Sequence, residues 1–383
     1  MIYFDNAATS WPKPLCVRRA AAEAVTKYGG NPGRSGHRMS VLSSEAVYSV
    51  REKAAEMFGG SPENVIFTSN CTHSLNLAIK GLLENDLRSG KKVHVIITCL
   101  EHNSVLRPVH ALSKRGLSYS IANVSSYDDI TVSSIEELIQ PNTRAVICTL
   151  GSNVTGQLLP YRQIGSMCRR RGITFIADGA QVCGIRRVNL VDDNINILCL
   201  PAHKGLFGLS GTGMLITDGS IQLSPLMEGG TGTTSLEAEQ PDFLPEGLES
   251  GTVNTVGIIS AGAGIDFINR NGINKLYSHE AALCQRFIAA LEKNPRVNIY
   301  RRSNAEYLPI VLFNMEGIPA SEGAMLLSEK GFALRGGLHC SGLAHKFTGT
   351  LPEGGIRFSP SCFNTTIETD SLARTINMIT AQL

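Results

Sequence analysis

The chain has 383 residues, of which 43% are hydrophobic and 18% charged, with a formal net charge of +2. That length and apolar content suit two packed domains with a sizeable core and exclude a disordered chain. A near-neutral balance without any basic block gives no argument for nucleic acid or a membrane surface as partner. The charged fraction lies below the roughly 25% usual for soluble chains, which points to a large core or a subunit interface. Ten cysteines are scattered with no CxxC, which excludes zinc-ribbon and thioredoxin-type motifs and suits a reducing compartment. The opening MIYFDNAATSWPKP lacks the basic-then-apolar pattern of a signal peptide. The uncharged, Gly-rich run 251–265 is shorter than the roughly 20 apolar residues of a spanning helix, so a cytoplasmic protein is expected.

In chain order, β-branched apolar runs predict strands at Val65–Thr68, Val93–Cys99, Ala145–Leu150, Ile173–Ala177, Ile195–Leu200 and Met214–Thr217. Helical spacing fills the intervals at Ser44–Phe58, Thr72–Leu83 and Arg162–Arg171, the last stopped by Gly172. Such alternation predicts an α/β fold with a mostly parallel sheet covered on both faces. The Gly-rich stretch Glu228–Thr234 reads as a loop. Beyond about residue 255 the texture changes. A helix over Leu276–Leu291, a strand at Leu308–Phe313 and a helix around Glu322–Lys330 are expected there. Strands at Phe332–Arg335 and Ile356–Ser359 and a helix from Asp370 complete a smaller α+β domain. The phosphate loop G-x-x-x-x-G-K-[ST], a post-strand G-x-G-x-x-G, and G-x-S-x-G do not occur, and His279-Glu280 lacks the second His of a zincin. No metal site is expected.

Asp178 closes an apolar run, and Pro201-Ala-His203-Lys204-Gly205 follows the next one. Carboxyl ends of strands are where open α/β sheets bind ligands. An Asp and a Lys at one sheet edge suit pyridoxal 5'-phosphate chemistry, with Lys as the covalent anchor and Asp on the ring nitrogen. From spacing alone, a capping Asp and a solvated Lys are the commoner outcome, since both residue types are frequent at strand ends. The strand, polar turn and helix around Thr68-Ser-Asn-Cys71-Thr72 offer amides and a hydroxyl to a phosphate, or simply a capped helix. His102 follows the Val93–Cys99 strand, where an imidazole stacks on a planar ring or serves as a loop residue. Asn153 and Gln181 also sit just past strands.

Together these segments resemble the cysteine desulfurases of the NifS type, in the class V aminotransferase group, and most of all the SufS/CsdA-like branch that includes selenocysteine lyases. The resemblance runs from Tyr3-Phe-Asp-Asn-Ala-Ala-Thr9 to Gly355-Ile-Arg-Phe-Ser359. It implies fold type I of the PLP-dependent transferases, with a seven-stranded-type sheet. The large PLP-binding domain is expected at 15–255, and the small domain at 1–14 with 256–383. Glu101-His102-Asn-Ser resembles the family's E-H-x-[AS] segment, with the His stacked on the cofactor. Ser152-Asn153-Val-Thr-Gly resembles SNxxG, whose Asn meets cofactor and substrate. Asp178-Gly-Ala-Gln181 resembles DGAQ, and Ala202-His203-Lys204 resembles GHK, with His on the phosphate and Lys as the Schiff-base residue. Glu249-Ser-Gly-Thr252-Val-Asn resembles EAGTPN, whose Thr reaches the phosphate of a partner subunit. Arg335-Gly-Gly-Leu-His339-Cys340 resembles RxGHHC, whose Cys accepts sulfur.

Carried over residue by residue, the resemblance implies Lys204, Cys340 and His102 as catalytic groups. It implies Cys71, Thr72, His102, Asn153, Asp178, Gln181, His203, Lys204 and Thr252 around the cofactor. Ala8, His37, Asn153, Arg335 and Arg357 are implied on the substrate side, Arg357 holding the carboxylate. The expected reaction converts L-cysteine to L-alanine and leaves a persulfide on Cys340, with Arg335 and His339 assisting the thiol. A homodimer and a sulfur-accepting protein partner are expected. The alternatives are a selenocysteine lyase, another class V lyase or aminotransferase, or a non-catalytic PLP-binding scaffold. Cys71 and Cys183 are the rival thiols. Pro201 stands where the family has Ser or Thr, Asn70, Cys71 and His73 depart from T-x-G-T-T-E, and Leu338 replaces the first His before the Cys. These departures fit an offshoot enzyme with a dedicated partner.

Overall fold

The computed structural model describes residues 1–33 and 35–382. A seven-stranded sheet is ordered Val65–Thr68, Gly213–Thr217, Ile197–Pro201, Thr174–Asp178, Thr143–Thr149, Val93–Thr98, Leu117–Ala122. Gly213–Thr217 runs antiparallel to both its neighbours, and the remaining pairs are parallel. The central strands are buried throughout because helices cover both faces, which is why they read as continuous apolar runs. Alternate residues face opposite ways: Ile96 and Val146 join one core cluster, and Val95, Ile97 and Ile147 join the other.

A four-stranded antiparallel sheet holds Arg335–Gly337, Gly355–Phe358, Val311–Met315 and Val297–Ile299. Phe4, Phe287, Phe313 and Phe358 fill its own core, with Phe287 stacked on Phe358 at 4.2 Å. The N-terminus joins this part of the molecule. Ile2–Tyr3 pairs in parallel with Phe332–Ala333, and Asp5 bridges Ser359. The α/β class and the mostly parallel sheet expected from the alternation are what the chain adopts.

Several elements differ from expectation. The Gly-rich run after residue 251 is largely the helix Thr255–Asn271, packed against the helices Leu15–Lys27 and Arg38–Phe58. Its glycines are packing residues: a Cβ on Gly264 would overlap the Leu206 carbonyl oxygen, and one on Gly262 would run into Val50. The strand expected at Leu308–Phe313 starts only at Val311, because Leu308 turns back to donate its amide to the Gly156 carbonyl. Leu117–Ala122 is an edge strand, partly exposed, so its apolar pattern is diluted.

Candidate active site

The parallel strands all end at one edge of the large sheet, so the segments that follow them converge. Register places Thr149 beside Asp178, Asp178 beside Cys199, and Pro201 beside Gly213, which in turn lies opposite Thr68. Chain direction alone thus gathers Cys71, His102, Asn153, Asp178 and Lys204.

Asp178 is 2% exposed, and its Oδ1 accepts from the Ala180 amide at 2.9 Å and from the Cys71 thiol at 3.6 Å. Burial pushes its carboxyl up, while the Ala180 amide, Lys204 and Cys71 oppose the shift. Burial holds the Lys204 ammonium below its usual range, and Cys71 and Asp178 pull the other way. The lysine turn is fixed from behind. The His203 carbonyl accepts from the Ser10 amide, the Thr9 and Ser10 hydroxyls and Lys13 Nζ, all at 2.9–3.1 Å. Gly205 has no side chain because a Cβ would overlap the Cys183 carbonyl.

His102 caps the helix Asn103–Ser113, its Nδ1 accepting from the Ser104 amide at 3.1 Å and hydroxyl at 2.8 Å. Burial first, then the Lys204, Arg335, Arg107 and Arg357 charges, lower its pKa to about 4, so the ring is neutral. The adjoining Glu101 is 1% exposed and ties two strand ends together. It accepts from Thr98 Oγ1 at 2.5 Å and from the Thr149 amide at 3.0 Å, and burial raises its pKa to about 8.

Asn70 caps the helix Cys71–Arg88 through the His73 amide at 2.9 Å, leaving the Cys71 and Thr72 amides without a partner among the described residues. Cys71 keeps its expected place, but its thiol sits on Asp178, and burial holds it well above the usual thiol range. Gln181 Nε2 donates to the Ala7 carbonyl at 3.1 Å, beside Ala8, whose amide bonds the Asp5 carbonyl.

Arg357 is 1% exposed. Its Nη2 pairs with Asp5 Oδ1 at 2.6 Å, and its Nη1 donates to the Asn153 carbonyl at 2.9 Å. Its Nε is buried without a partner, as is His203 Nδ1. Asn153 holds the loop of Cys340: its Nδ2 donates to the His339 carbonyl at 2.8 Å, and its Oδ1 accepts from Ser341 Oγ at 2.7 Å. Cys340 is the one exposed cysteine of the ten, and Arg335 Nη2 lies 3.6 Å from its Sγ. Cys183, one of the two rival thiols, is buried, and burial holds it well above the usual range. His339 lies 2% exposed with both ring nitrogens occupied, by the Arg335 carbonyl at 3.0 Å and by His345 at 3.2 Å. It therefore supports the loop rather than facing the thiol.

Two expected residues lie outside this cluster. His37 is exposed and caps the helix Arg38–Phe58 through the Ser40 amide. Thr252 is exposed and accepts from Asn31 Nδ2 at 3.2 Å. Its loop is anchored by Glu249, which sequence reasoning left without a role. Glu249 forms a two-pronged ion pair with Arg51, at 2.8 and 2.5 Å, and accepts from the Phe67 amide. Asp5, the partner of Arg357, was also missed, although it sits inside the opening motif.

The profile of the class V aminotransferase family matches residues 2–372. The chain belongs to the class V aminotransferase family. A "probable cysteine desulfurase" of Methanothermobacter thermautotrophicus is 30% identical over 386 residues, covering 99% of this chain and 94% of that one. A cysteine desulfurase of Serratia proteamaculans is 28% identical, covering 89% and 84%. The solved apo structure of a cysteine desulfurase from Thermococcus onnurineus superposes with a TM-score of 0.92 at 28% identity, covering 100% of this chain and 95% of that one. The fold of this class V member is fold type I of the PLP-dependent enzymes.

The polar atoms of the site fit pyridoxal phosphate. Among the described residues they include the buried Asp178 carboxyl, which has no ion pair, the buried His203 Nδ1 without a hydrogen-bond partner, and the Cys71 and Thr72 amides without a partner at a helix N-terminus. Lys204 Nζ makes no hydrogen bond among the described residues.

Proposed function

We propose that this class V family member is a pyridoxal-phosphate-dependent cysteine desulfurase that converts L-cysteine to L-alanine and places the sulfur on Cys340. The observation that carries the reading is an exposed thiol, beside a guanidinium, on a loop hydrogen-bonded to the same Asn153 that meets Arg357.

Lys204 would hold the cofactor, Asp178 would face its ring nitrogen, and the neutral His102 ring would lie against it. The Cys71 and Thr72 amides and His203 would take the phosphate. When bound, pyridoxal phosphate supplies an electron sink for the substrate α-carbon. Arg357 receives the substrate carboxylate through its Nε and the remaining hydrogens of its terminal nitrogens, while Asp5 fixes the plane of the guanidinium. Lys204 Nζ takes the α-proton and returns a proton to the α-carbon after the sulfur has left. The Cys340 thiolate attacks the substrate sulfur, an S–S bond forms, and the carbon–sulfur bond breaks. Its electron pair stays with the substrate and is protonated to the methyl of alanine. Arg335 stabilises the thiolate by charge.

A homodimer with shared sites extends the same reading. The segment 218–254 contains neither helix nor strand and exposes Met227, Leu236 and Phe243 alongside Thr252. Thr252 would serve the neighbouring copy's phosphate, and a sulfur-accepting protein would meet the exposed Cys340. No helix among the described residues is long and apolar enough to cross a membrane.

Product analysis tests the reading. Purified protein with L-cysteine and a thiol reductant should yield alanine and sulfide in equal amounts. Cys340→Ser should retain the cofactor but form alanine at least roughly 100-fold more slowly, because a hydroxyl near pH 7 is not ionised. A keto acid in place of alanine would contradict it.

A further inference from the structure

His339 and Cys340 both have left-handed backbones, with φ of 51° and 58°. Non-glycine residues adopt this conformation at a cost, so two in succession persist only where the surroundings over-determine them. Here the restraints lie on both sides of the thiol and come from separate elements. On one side the His339 carbonyl accepts from Asn153 Nδ2. On the other, Ser341 Oγ donates to Asn153 Oδ1, so one amide grips the residues flanking Cys340. The Cys340 carbonyl itself accepts from the Asn103 amide at 2.8 Å, next to His102.

A second line of restraint runs beneath the loop. His339 Nε2 donates to the Arg335 carbonyl, His345 Nε2 donates to His339 Nδ1, and Thr350 Oγ1 donates to His345 Nδ1 at 2.7 Å. With both imidazoles neutral, each of these bonds has one donor and one acceptor. Burial secures this by lowering His339 to about 2 and His345 to about 4. Ser341 and His345 are fully buried. Neither lies within hydrogen-bond distance of the thiol.

We propose that Ser341 and His345 are positioning residues for the Cys340 thiol, Ser341 acting through Asn153 and His345 through His339. Their action is to hold Cys340 at a fixed place over the site rather than on a swinging loop. This rests on Cys340 being the sulfur acceptor.

The test compares wild-type holoenzyme with Ser341→Ala, Ser341→Thr and His345→Gln. Hydrogen–deuterium exchange of the peptide spanning 336–344 should rise roughly fivefold in Ser341→Ala, the equivalent of one lost hydrogen bond. In the same variant, kcat for cysteine should fall roughly tenfold with KM within twofold, since the thiol acts after the substrate is bound. The absorbance of bound cofactor should not change. Ser341→Thr, which retains the hydroxyl, should restore both exchange and kcat. His345→Gln carries the same expectations and decides the matter should Ser341→Ala fail to fold. Unchanged exchange and unchanged kcat in the folded variants would overturn the proposal, as would a raised KM at constant kcat. If wild type places no sulfur on Cys340, the desulfurase reading fails, and the exchange measurement alone still shows whether the loop is clamped.

Discussion

Arg357 carries two duties on one guanidinium, and this sets what its removal does. It pairs with Asp5 while 1% exposed, and it reaches the Asn153 carbonyl. Arg357→Ala should lower kcat/KM for cysteine by an amount equivalent to roughly 2–5 kcal/mol of transition-state stabilisation, the range for deleting one partner of a desolvated charge pair. Arg357→Lys should recover only part, because an ammonium cannot form the planar fork. Steady-state kinetics of the two variants check this, and an undiminished kcat/KM in Arg357→Ala would remove Arg357 from the substrate site. At this scale much was legible in the sequence. Asp178, Lys204, His102 and Asn153 stand at strand ends, where chain direction must gather them. Asp5 and Glu249 were not legible, because their partners lie far away in sequence and only the packed molecule brings them together, and His345 was missed because nothing in the local pattern turns its ring toward His339 six residues before it.

Among the elements, the helix Thr255–Asn271 shows how composition misleads. The Gly-rich run 251–265 was read only as too short to span a membrane, yet Gly264 and Gly262 sit where the helix backbone touches the turn after Lys204 and the helix Arg38–Phe58. Propensity counts a glycine against a helix, but close packing demands it here. Gly264→Ala should destabilise the protein by about 1–3 kcal/mol, as overpacking does. It should also weaken cofactor retention, since the Leu206 carbonyl it displaces lies two residues from Lys204. Denaturant melts and cofactor absorbance measure the two effects. An alanine variant as stable as wild type would show that this approach is not tight. The large-sheet strands were legible because burial on both faces makes them continuous apolar runs. The partly exposed strand Leu117–Ala122 and the short strand Val297–Ile299 gave no such signal.

For the molecule as a whole, buried titratable groups set the pH range of stability. His102, His203 and His345 are each held at about 4, below the unfolded value near 6.5. The unfolded chain binds more protons between these values, so their contribution is present above pH 6.5 and is lost as pH falls toward 4. Glu101 and Glu280 are raised by burial to about 8 from 4.5. For them the folded chain binds more protons, and stability falls as pH rises from 4.5 to 8. Thermal melts should therefore give a Tm that is highest near pH 6.5 and falls on both sides, toward pH 4 and from 6.5 to 8, with the fall above 6.5 reduced in Glu280→Gln. A Tm still climbing between pH 6.5 and 8 would contradict the burial of these carboxyls. The low charged fraction, read from the sequence as core or interface, corresponds in part to two continuous cores on either side of the sheet. The central claim concerns one thiol among ten, and peptide mass spectrometry tests it most directly. After brief exposure of the holoenzyme to L-cysteine, the peptide holding Cys340 should gain one sulfur that a thiol reductant removes. Sulfur on the peptides of Cys71 or Cys183, with none on Cys340, would contradict the account.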